Sequence, residues 1–135
     1  MDLKDYKKLS TEDMQINLTN MKQFSVDLPL MTVKWLQFLS SEKLILNGYD
    51  LQHKITWKRL YLYYSGLGET AYEYVLGKSE IKQFIDADDD MVDLLKGLYL
   101  QKEKVEFITK VCDTLNKTSF QIKNAVEMLK FENGG

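Results

Sequence analysis

The sequence predicts an all-α protein, with a helical N-terminal unit followed by a long C-terminal oligomerisation helix or helix pair. The 135 residues contain one proline and seven glycines, which are too few for a turn-rich sheet. Apolar residues recur at helical spacing in the first half of the chain, and the last third follows a heptad repeat. Residues 1–77 are therefore predicted to be a helical unit that carries the binding segment, and residues 78–135 an oligomerisation region.

Charge and cysteine content narrow the function classes. Residues 1–65 hold nine Lys and Arg against seven Asp and Glu, whereas residues 66–135 hold nine Lys against thirteen acids. A polyanion would therefore meet the first half of the chain. Cys112 is the only cysteine, which excludes an intrachain disulfide and a cysteine-rich metal site and favours a reducing cytoplasm. We expect no membrane contact, because no signal-peptide pattern and no membrane-spanning apolar run are present.

Capping residues divide the first half into helices. Residues 2–23 are polar and weakly amphipathic, and they are predicted to form one or two short helices. Asp27 is the predicted N-cap of the next helix, because Pro29 would then lie in the first turn, where a missing N–H costs nothing. The apolar residues that follow at helical spacing are Leu30, Val33, Leu36, Phe38 and Leu39.

A second apolar stripe marks the predicted core side of this region. Its members share one narrow arc of a helix: Leu44, Leu51, Ile55 and Leu62. Asn47-Gly48 favours a break or bend in that helix, and a left-handed glycine within residues 65–68 is predicted to end it. Residues 67–78 are predicted to form a loop or hinge, and residues 79–86 a short helix.

The last third of the chain follows a heptad repeat after a cluster of aspartates at 86 and 88–90, whose charges favour a helix N-terminus. The a and d positions are Met91, Leu94, Leu98, Gln101, Val105, Ile108, Cys112, Leu115, Ser119, Ile122, Val126 and Leu129. Ten of these twelve are apolar, which predicts a helix that pairs with copies of itself. The candidate oligomerisation residues are Leu94, Leu98, Val105, Ile108, Cys112, Leu115, Ile122, Val126 and Leu129. Further apolar residues lie off this seam, so the helix needs two neighbours, and residues 116–119 favour a kink.

The densest functional pattern is residues 53–64, HKITWKRLYLYY, which combine three positive charges with four aromatic rings and no acid. Lysines neutralise phosphates and aromatic faces stack on unpaired bases, so the pattern favours single-stranded nucleic acid. On a helix, Lys54, Lys58 and Tyr61 share a face, flanked by Trp57 and Tyr64. The candidate DNA-binding residues are Lys54, Trp57, Lys58, Arg59, Tyr61 and Tyr64. The alternative is a structural helix whose aromatics are core residues and whose lysines are merely solvated.

Other candidate sites are weaker. Asp86–Asp90 resembles the start of a calcium loop, but Met91 stands where that loop needs glycine and Gly97 where it needs glutamate. His53 is the only histidine and has no acid or nucleophile at triad spacing. We therefore expect no metal, no cofactor and no catalytic residue.

Several short motifs follow one another in order along the chain. They are Lys34-Trp35-Leu36, Ser40-Ser41, Tyr63-Tyr64-Ser65-Gly66-Leu67-Gly68, Lys78-Ser79-Glu80, Ala87-Asp88, Phe120-Gln121-Ile122-Lys123, Met128, Phe131-Glu132 and Gly134. Together they resemble the motifs of the UvsY recombination mediators of T4-type phages. No single motif is diagnostic, but their order and spacing over residues 30–135 are specific. The first 25 residues match the family poorly.

The resemblance implies a non-enzymatic mediator that binds single-stranded DNA as a ring-like homo-oligomer, a hexamer or heptamer. It would load a RecA-like phage recombinase in place of the phage single-strand-binding protein, for homologous recombination, recombination-dependent replication and repair in the cytoplasm of the infected bacterial host. The family's DNA-binding basic pair falls on Lys58 and Leu60 here, with Arg59 beside it. Neighbouring side chains differ by about 100° around a helix, so Arg59 does not simply replace the basic residue that is missing at position 60.

Two rival functions follow from the same residues. A helical scaffold that never touches DNA would use the C-terminal bundle to hold other proteins, yet it has no need of the basic-aromatic segment. An enzyme is disfavoured, because the sequence offers no acid–base or nucleophile constellation.

Overall fold

A computed structural model describes residues 1–70 and 72–134 of the chain. Within those residues the chain forms four helices and no strand: α1 (Leu3–Asp13), α2 (Met21–Tyr64), α3 (Lys78–Ala87) and α4 (Asp89–Glu132). The all-α fold class is confirmed, and α1 is a short helix of the kind predicted within residues 2–23. α2 and α4 are 44 residues long each, so they make up most of the protein.

The helices contribute to two compact units. The first unit comprises Met1–Glu42 and Glu103–Gly135, and the second unit comprises Lys43–Lys102. Each long helix therefore supplies residues to both units. These units are defined by packing. The assignment of residues 1–77 to binding and residues 78–135 to oligomerisation is a division by function, and it stays a prediction.

The core of the first unit is built around Trp35, which is fully buried. Tyr6 of α1 packs in the same hydrophobic cluster as Ile108 and Leu115 of α4. The ring centroids of Tyr6 and Trp35 lie 6.1 Å apart, and Phe38 meets Trp35 edge-on at 5.3 Å. Such aromatic pairs stabilise a core beyond the apolar area that they bury. This cluster joins α1, α2 and α4.

Polar contacts hold α1 against this core at two points. The Tyr6 hydroxyl donates to Glu42 Oε1 at 2.9 Å, and Lys104 Nζ lies 3.7 Å from Glu42 Oε2. Burial, together with the hydrogen bond to Glu42, raises the pKa of Tyr6 to about 12, so the hydroxyl keeps its proton. Near the end of α1, the indole Nε1 of Trp35 donates to Asp13 Oδ2 at 3.0 Å.

The start of α2 differs from the prediction, because the helix begins at Met21 and Asp27 is not its N-cap. Two asparagine side chains form the preceding turn. Asn17 Oδ1 accepts a bond from the backbone N–H of Asn20, and Asn20 Oδ1 accepts one from the backbone N–H of Asn17. The first helical bond then runs from the Phe24 N–H to the Asn20 carbonyl at 2.9 Å.

Pro29 lies inside α2 rather than in its first turn. Proline has no N–H, so the carbonyl of Ser25, four residues earlier, loses its usual donor. Ser25 is exposed, which allows water to take that place. Phe24 and Trp35 are buried on either side of the proline, and α2 is one continuous helix from Met21 to Tyr64.

The predicted core stripe of α2 faces solvent, which corrects the sequence-based expectation. Leu44, Leu51 and Ile55 are each more than half exposed, and only Leu62 is half-buried. Helical spacing identifies the residues that share a face, but it does not tell which face lies inward. The exposed aliphatic residues of α2 are Val26, Leu30, Val33, Leu36, Leu44, Ile45, Leu51 and Ile55. The buried cluster of the second unit consists of Leu60, Ile81, Ile85 and Met91.

Local signals for the ends of helices are confirmed at the end of α2 and the start of α4. α2 runs through Asn47-Gly48 without a break and ends at Tyr64, followed by Gly66 with a φ of 77°. Only glycine adopts that left-handed conformation at little cost. Asp88 caps α4, because its Oδ1 accepts a bond of 2.9 Å from the backbone N–H of Asp90.

Most of the heptad seam of α4 is covered within the single chain. Five of the nine candidate oligomerisation residues are buried: Leu98, Val105, Ile108, Leu115 and Ile122. Leu94 and Cys112 are half-buried, whereas Val126 and Leu129 are exposed. The helix continues through residues 116–119, where the sequence favours a kink, and Thr118 there donates to the Thr114 carbonyl at 2.8 Å.

Candidate nucleic-acid interface

Four of the candidate DNA-binding residues lie on one exposed face of α2, in the second unit. Lys54, Trp57, Lys58 and Tyr61 are three or four residues apart, which is the spacing of side chains that share a helix face. All four are exposed, and Trp57 and Tyr61 are each 38% exposed. These two aromatics are therefore not core residues. We call this set the basic-aromatic face.

The two rings of the basic-aromatic face are stacked on each other. The ring centroids of Trp57 and Tyr61 are 5.3 Å apart, and the ring planes differ by 11°. Parallel, partly exposed rings are an arrangement to which an unpaired base can add, and base–aromatic stacking contributes about 1–3 kcal/mol per base. Lys54 and Lys58 lie one turn apart beside the rings, where ammonium groups can neutralise successive phosphates.

Arg59 is turned away from this face and is held by α4. Its Nη2 lies 2.9 Å from Asp90 Oδ2, and the side chains are 56% and 66% exposed. Arg59 also borders an open cleft of about 270 Å³, which is lined further by Leu62, Tyr63, Gly68, Glu69 and Thr70. Leu60, which occupies the second basic position of the family resemblance, is buried in the core. That position therefore offers no contact to a strand here.

Tyr64 is placed differently from the other candidates. Its hydroxyl donates to Asp88 Oδ2 at 2.6 Å, and burial together with this bond raises the pKa of Tyr64. Its ring centroid lies 5.0 Å from that of Tyr63, 5.2 Å from that of Tyr72 and 5.6 Å from that of Phe84. Tyr64 thus ties the end of α2 to α3 and to the start of α4. The sequence did not identify this cluster, because the fold and not the spacing brings Tyr72 and Phe84 to it.

The remaining candidates from the sequence are the possible metal ligands, the aspartates that resemble a calcium loop, and His53. Among residues 1–70 and 72–134, no three His, Cys, Asp and Glu side chains are grouped so that they could hold a metal ion. His53 is half-buried. The acids that resemble a calcium loop include Asp88, which caps α4, and Asp90, which pairs with Arg59. In the part of the chain that the structure describes, no helix has the length and apolarity needed to cross a membrane.

Five exposed apolar residues lie near the end of α4, in the first unit. They are Phe120, Val126, Met128, Leu129 and Phe131, and we call them the α4 apolar end. Phe131 is 84% exposed. At about 100° per residue the five side chains point to more than one side of the helix, and Met128 and Phe131 border the same open cleft. Large exposed apolar residues at one end of a helix are a candidate surface for contact with another chain. Val126 and Leu129 are the two exposed members of the nine candidate oligomerisation residues.

Comparisons with known proteins match almost the whole chain. The family model described as "Recombination, repair and ssDNA binding protein UvsY" matches residues 9–135. The recombination protein uvsY of Enterobacteria phage T4 is 28% identical, and the match covers 99% of this chain and 99% of that protein.

Solved structures agree with these sequence matches. A crystal structure of the bacteriophage T4 recombination mediator protein UvsY in lattice type II has a TM-score of 0.91 at 27% identity and covers 98% of each chain. The lattice type IV structure has a TM-score of 0.88 at 25% identity and covers 97% of this chain and 99% of that chain. These matches place the protein among the all-α recombination mediators. The chain belongs to the UvsY family, as its motifs predicted.

Proposed function

We propose that the chain binds single-stranded DNA through its basic-aromatic face. The observation that carries the proposal is the stacked, partly exposed pair of Trp57 and Tyr61 beside two exposed lysines one helical turn apart. Ammonium groups neutralise phosphates of any sequence, and rings stack on bases that are not paired. Duplex DNA keeps its bases inside the helix, so the face favours single strands.

A single face of this size makes few contacts, and we propose that copies of the chain associate to multiply them. Association would bury the α4 apolar end and the exposed aliphatic residues of α2. Val126 and Leu129 would contact a neighbouring copy directly, whereas the buried heptad residues would pack α4 against the other helices of its own chain. A ring-like homo-oligomer, a hexamer or heptamer, would offer one face per subunit to the same strand, and linked weak sites bind far more tightly than one alone.

The oligomer would act as a mediator without consuming ATP. A strand held on several faces has a changed shape, and that shape binds some competitors better than others. If the held strand favours the recombinase over the single-strand-binding protein, the mediator promotes loading of the recombinase. Membership of the UvsY family supports these partners, namely single-stranded DNA, a RecA-like phage recombinase and the phage single-strand-binding protein. The site of action would be the cytoplasm of the infected bacterium.

A salt titration with two forms of DNA tests the proposal. Labelled oligo-dT and a duplex of equal length would be titrated with the full chain, and anisotropy would give the binding constant from about 50 to 200 mM salt, the range over which phosphate contacts weaken. We expect tighter binding of oligo-dT, with log K falling linearly against log salt. Equal binding of both forms, or no binding of oligo-dT at the lowest salt, would contradict the proposal and favour a helical scaffold.

A further inference from the structure

Among the three positively charged candidate DNA-binding residues, Arg59 is the one with an acidic partner among the residues that the structure describes. Its guanidinium Nη2 lies 2.9 Å from Asp90 Oδ2, in the first turn of α4. Lys54 and Lys58 have no such partner in the described part of the chain. Arg59 lies about 100° around α2 from Lys58, on the side where it meets Asp90, so a strand that leaves Lys58 toward the start of α4 would reach the ion pair.

A carboxylate and a DNA phosphate compete for the same guanidinium. Both are anions whose oxygens accept the forked N–H groups of arginine. The side chains of Arg59 and Asp90 are more than half exposed, and an exposed ion pair contributes little to stability because water screens it. An incoming phosphate can therefore replace the Asp90 carboxylate at small cost.

We propose that Asp90 is an affinity-setting residue that competes with DNA phosphate for Arg59. In the free protein Asp90 neutralises Arg59, and a bound strand displaces it and gains one phosphate contact. The inference rests on the proposed function, since it requires a strand on the basic-aromatic face. Asp90 thereby weakens binding to single-stranded DNA, so that the mediator can dissociate from the strand more readily.

Asp89 provides a matched control for Asp90. It lies in the same first turn of α4, is exposed, and makes no ion pair among the described residues. Asp89→Asn removes the same charge from the same helix end but leaves the pair of Arg59 and Asp90 intact. Asp88 is unsuitable as a control, because it caps α4 and its Oδ2 accepts a hydrogen bond from the hydroxyl of Tyr64.

The experiment compares four full-length variants with the wild type by oligo-dT titration over a range of salt: Asp90→Asn, Asp89→Asn, Arg59→Ala and the Arg59→Ala/Asp90→Asn double variant. Asp90→Asn should bind about two- to five-fold more tightly, the range of an exposed ion pair. Its slope of log K against log salt should stay near that of the wild type, because Arg59 contacts the same phosphate in both complexes, whereas Arg59→Ala should lower the magnitude of the slope by about 0.7, the increment of one phosphate contact in a single strand. Asp89→Asn should gain much less, and Asp90→Asn should gain nothing in the Arg59→Ala background.

The outcomes separate this inference from the proposed function. Equal gains for Asp90→Asn and Asp89→Asn, or a gain that persists without Arg59, would overturn the inference, because net charge alone then explains the effect. If the wild type binds oligo-dT and Asp90→Asn binds it equally well, only the role of Asp90 is overturned. A wild-type chain that does not bind oligo-dT overturns both. Thermal melting of each variant checks that these exposed substitutions leave the fold intact.

Discussion

At the scale of single residues, the helix repeat determines what the sequence can reveal. Lys54, Trp57, Lys58 and Tyr61 could be grouped in advance, because side chains three and four residues apart share a face whatever the helix packs against. The partner of Arg59 could not be identified, since Asp90 lies 31 residues further on and meets it only through the fold. Local geometry is thus readable from the sequence, and tertiary contacts are not.

Trp57 tests stacking at this scale. Trp57→Ala should weaken binding to oligo-dT by about 1–3 kcal/mol, the value of one stacked base. The melting temperature should change little, because the ring is 38% exposed. Trp57→Phe is the matched control, since it keeps an aromatic ring and should retain most of the affinity.

Fluorescence gives an independent measurement of the same contact. Trp35 is fully buried and should contribute a constant, blue-shifted emission, so oligo-dT should quench only the red-shifted component from Trp57. Two results together would contradict stacking. Trp57→Ala would lose about 3–5 kcal/mol of folding stability, as the truncation of a core residue does, and oligo-dT would not quench the fluorescence of the wild type.

At the scale of elements, the helices were predictable and their inward faces were not. The end of α2 was identified correctly because one glycine in the left-handed conformation is a local signal. The start of α2 was missed because two reciprocal asparagine side chains, Asn17 and Asn20, form the turn before it. The stripe of Leu44, Leu51 and Ile55 faces solvent, since an apolar face shows only that a partner is needed and not where it lies.

Two glycines inside the long helices give an element-scale prediction. A methyl group at Gly48 of α2 would meet nothing within 4 Å, so Gly48→Ala should stabilise the chain by about 0.5–1 kcal/mol through helix propensity. A methyl group at Gly97 of α4 would lie 2.8 Å from the ring of Tyr49, so Gly97→Ala should destabilise it despite the same propensity gain. Thermal melting compares the pair, and a rise in melting temperature for both variants would show that Tyr49 yields without cost.

At the scale of the whole molecule, the heptad repeat of α4 illustrates what a pattern leaves open. The repeat indicates that the helix packs against helices along a seam, but it does not state whether those helices belong to the same chain. Here Leu98, Ile108 and Leu115 are buried in a single copy. The apolar residues left exposed, among them Leu129 and Phe131, are the ones through which we propose that copies meet.

The salt dependence of oligo-dT binding by a Lys54→Ala/Lys58→Ala variant tests the central claim most directly. We expect weaker binding and a slope of log K against log salt that is smaller in magnitude by about 1.4, which corresponds to two lost phosphate contacts. Lys82→Ala/Lys96→Ala is the matched control, because it removes two other exposed lysines of the second unit and should leave the slope unchanged. An unchanged slope for the Lys54 and Lys58 variant, with a reduced slope when Lys4, Lys7 and Lys8 of α1 are replaced by alanine, would contradict the account and move the DNA site to α1.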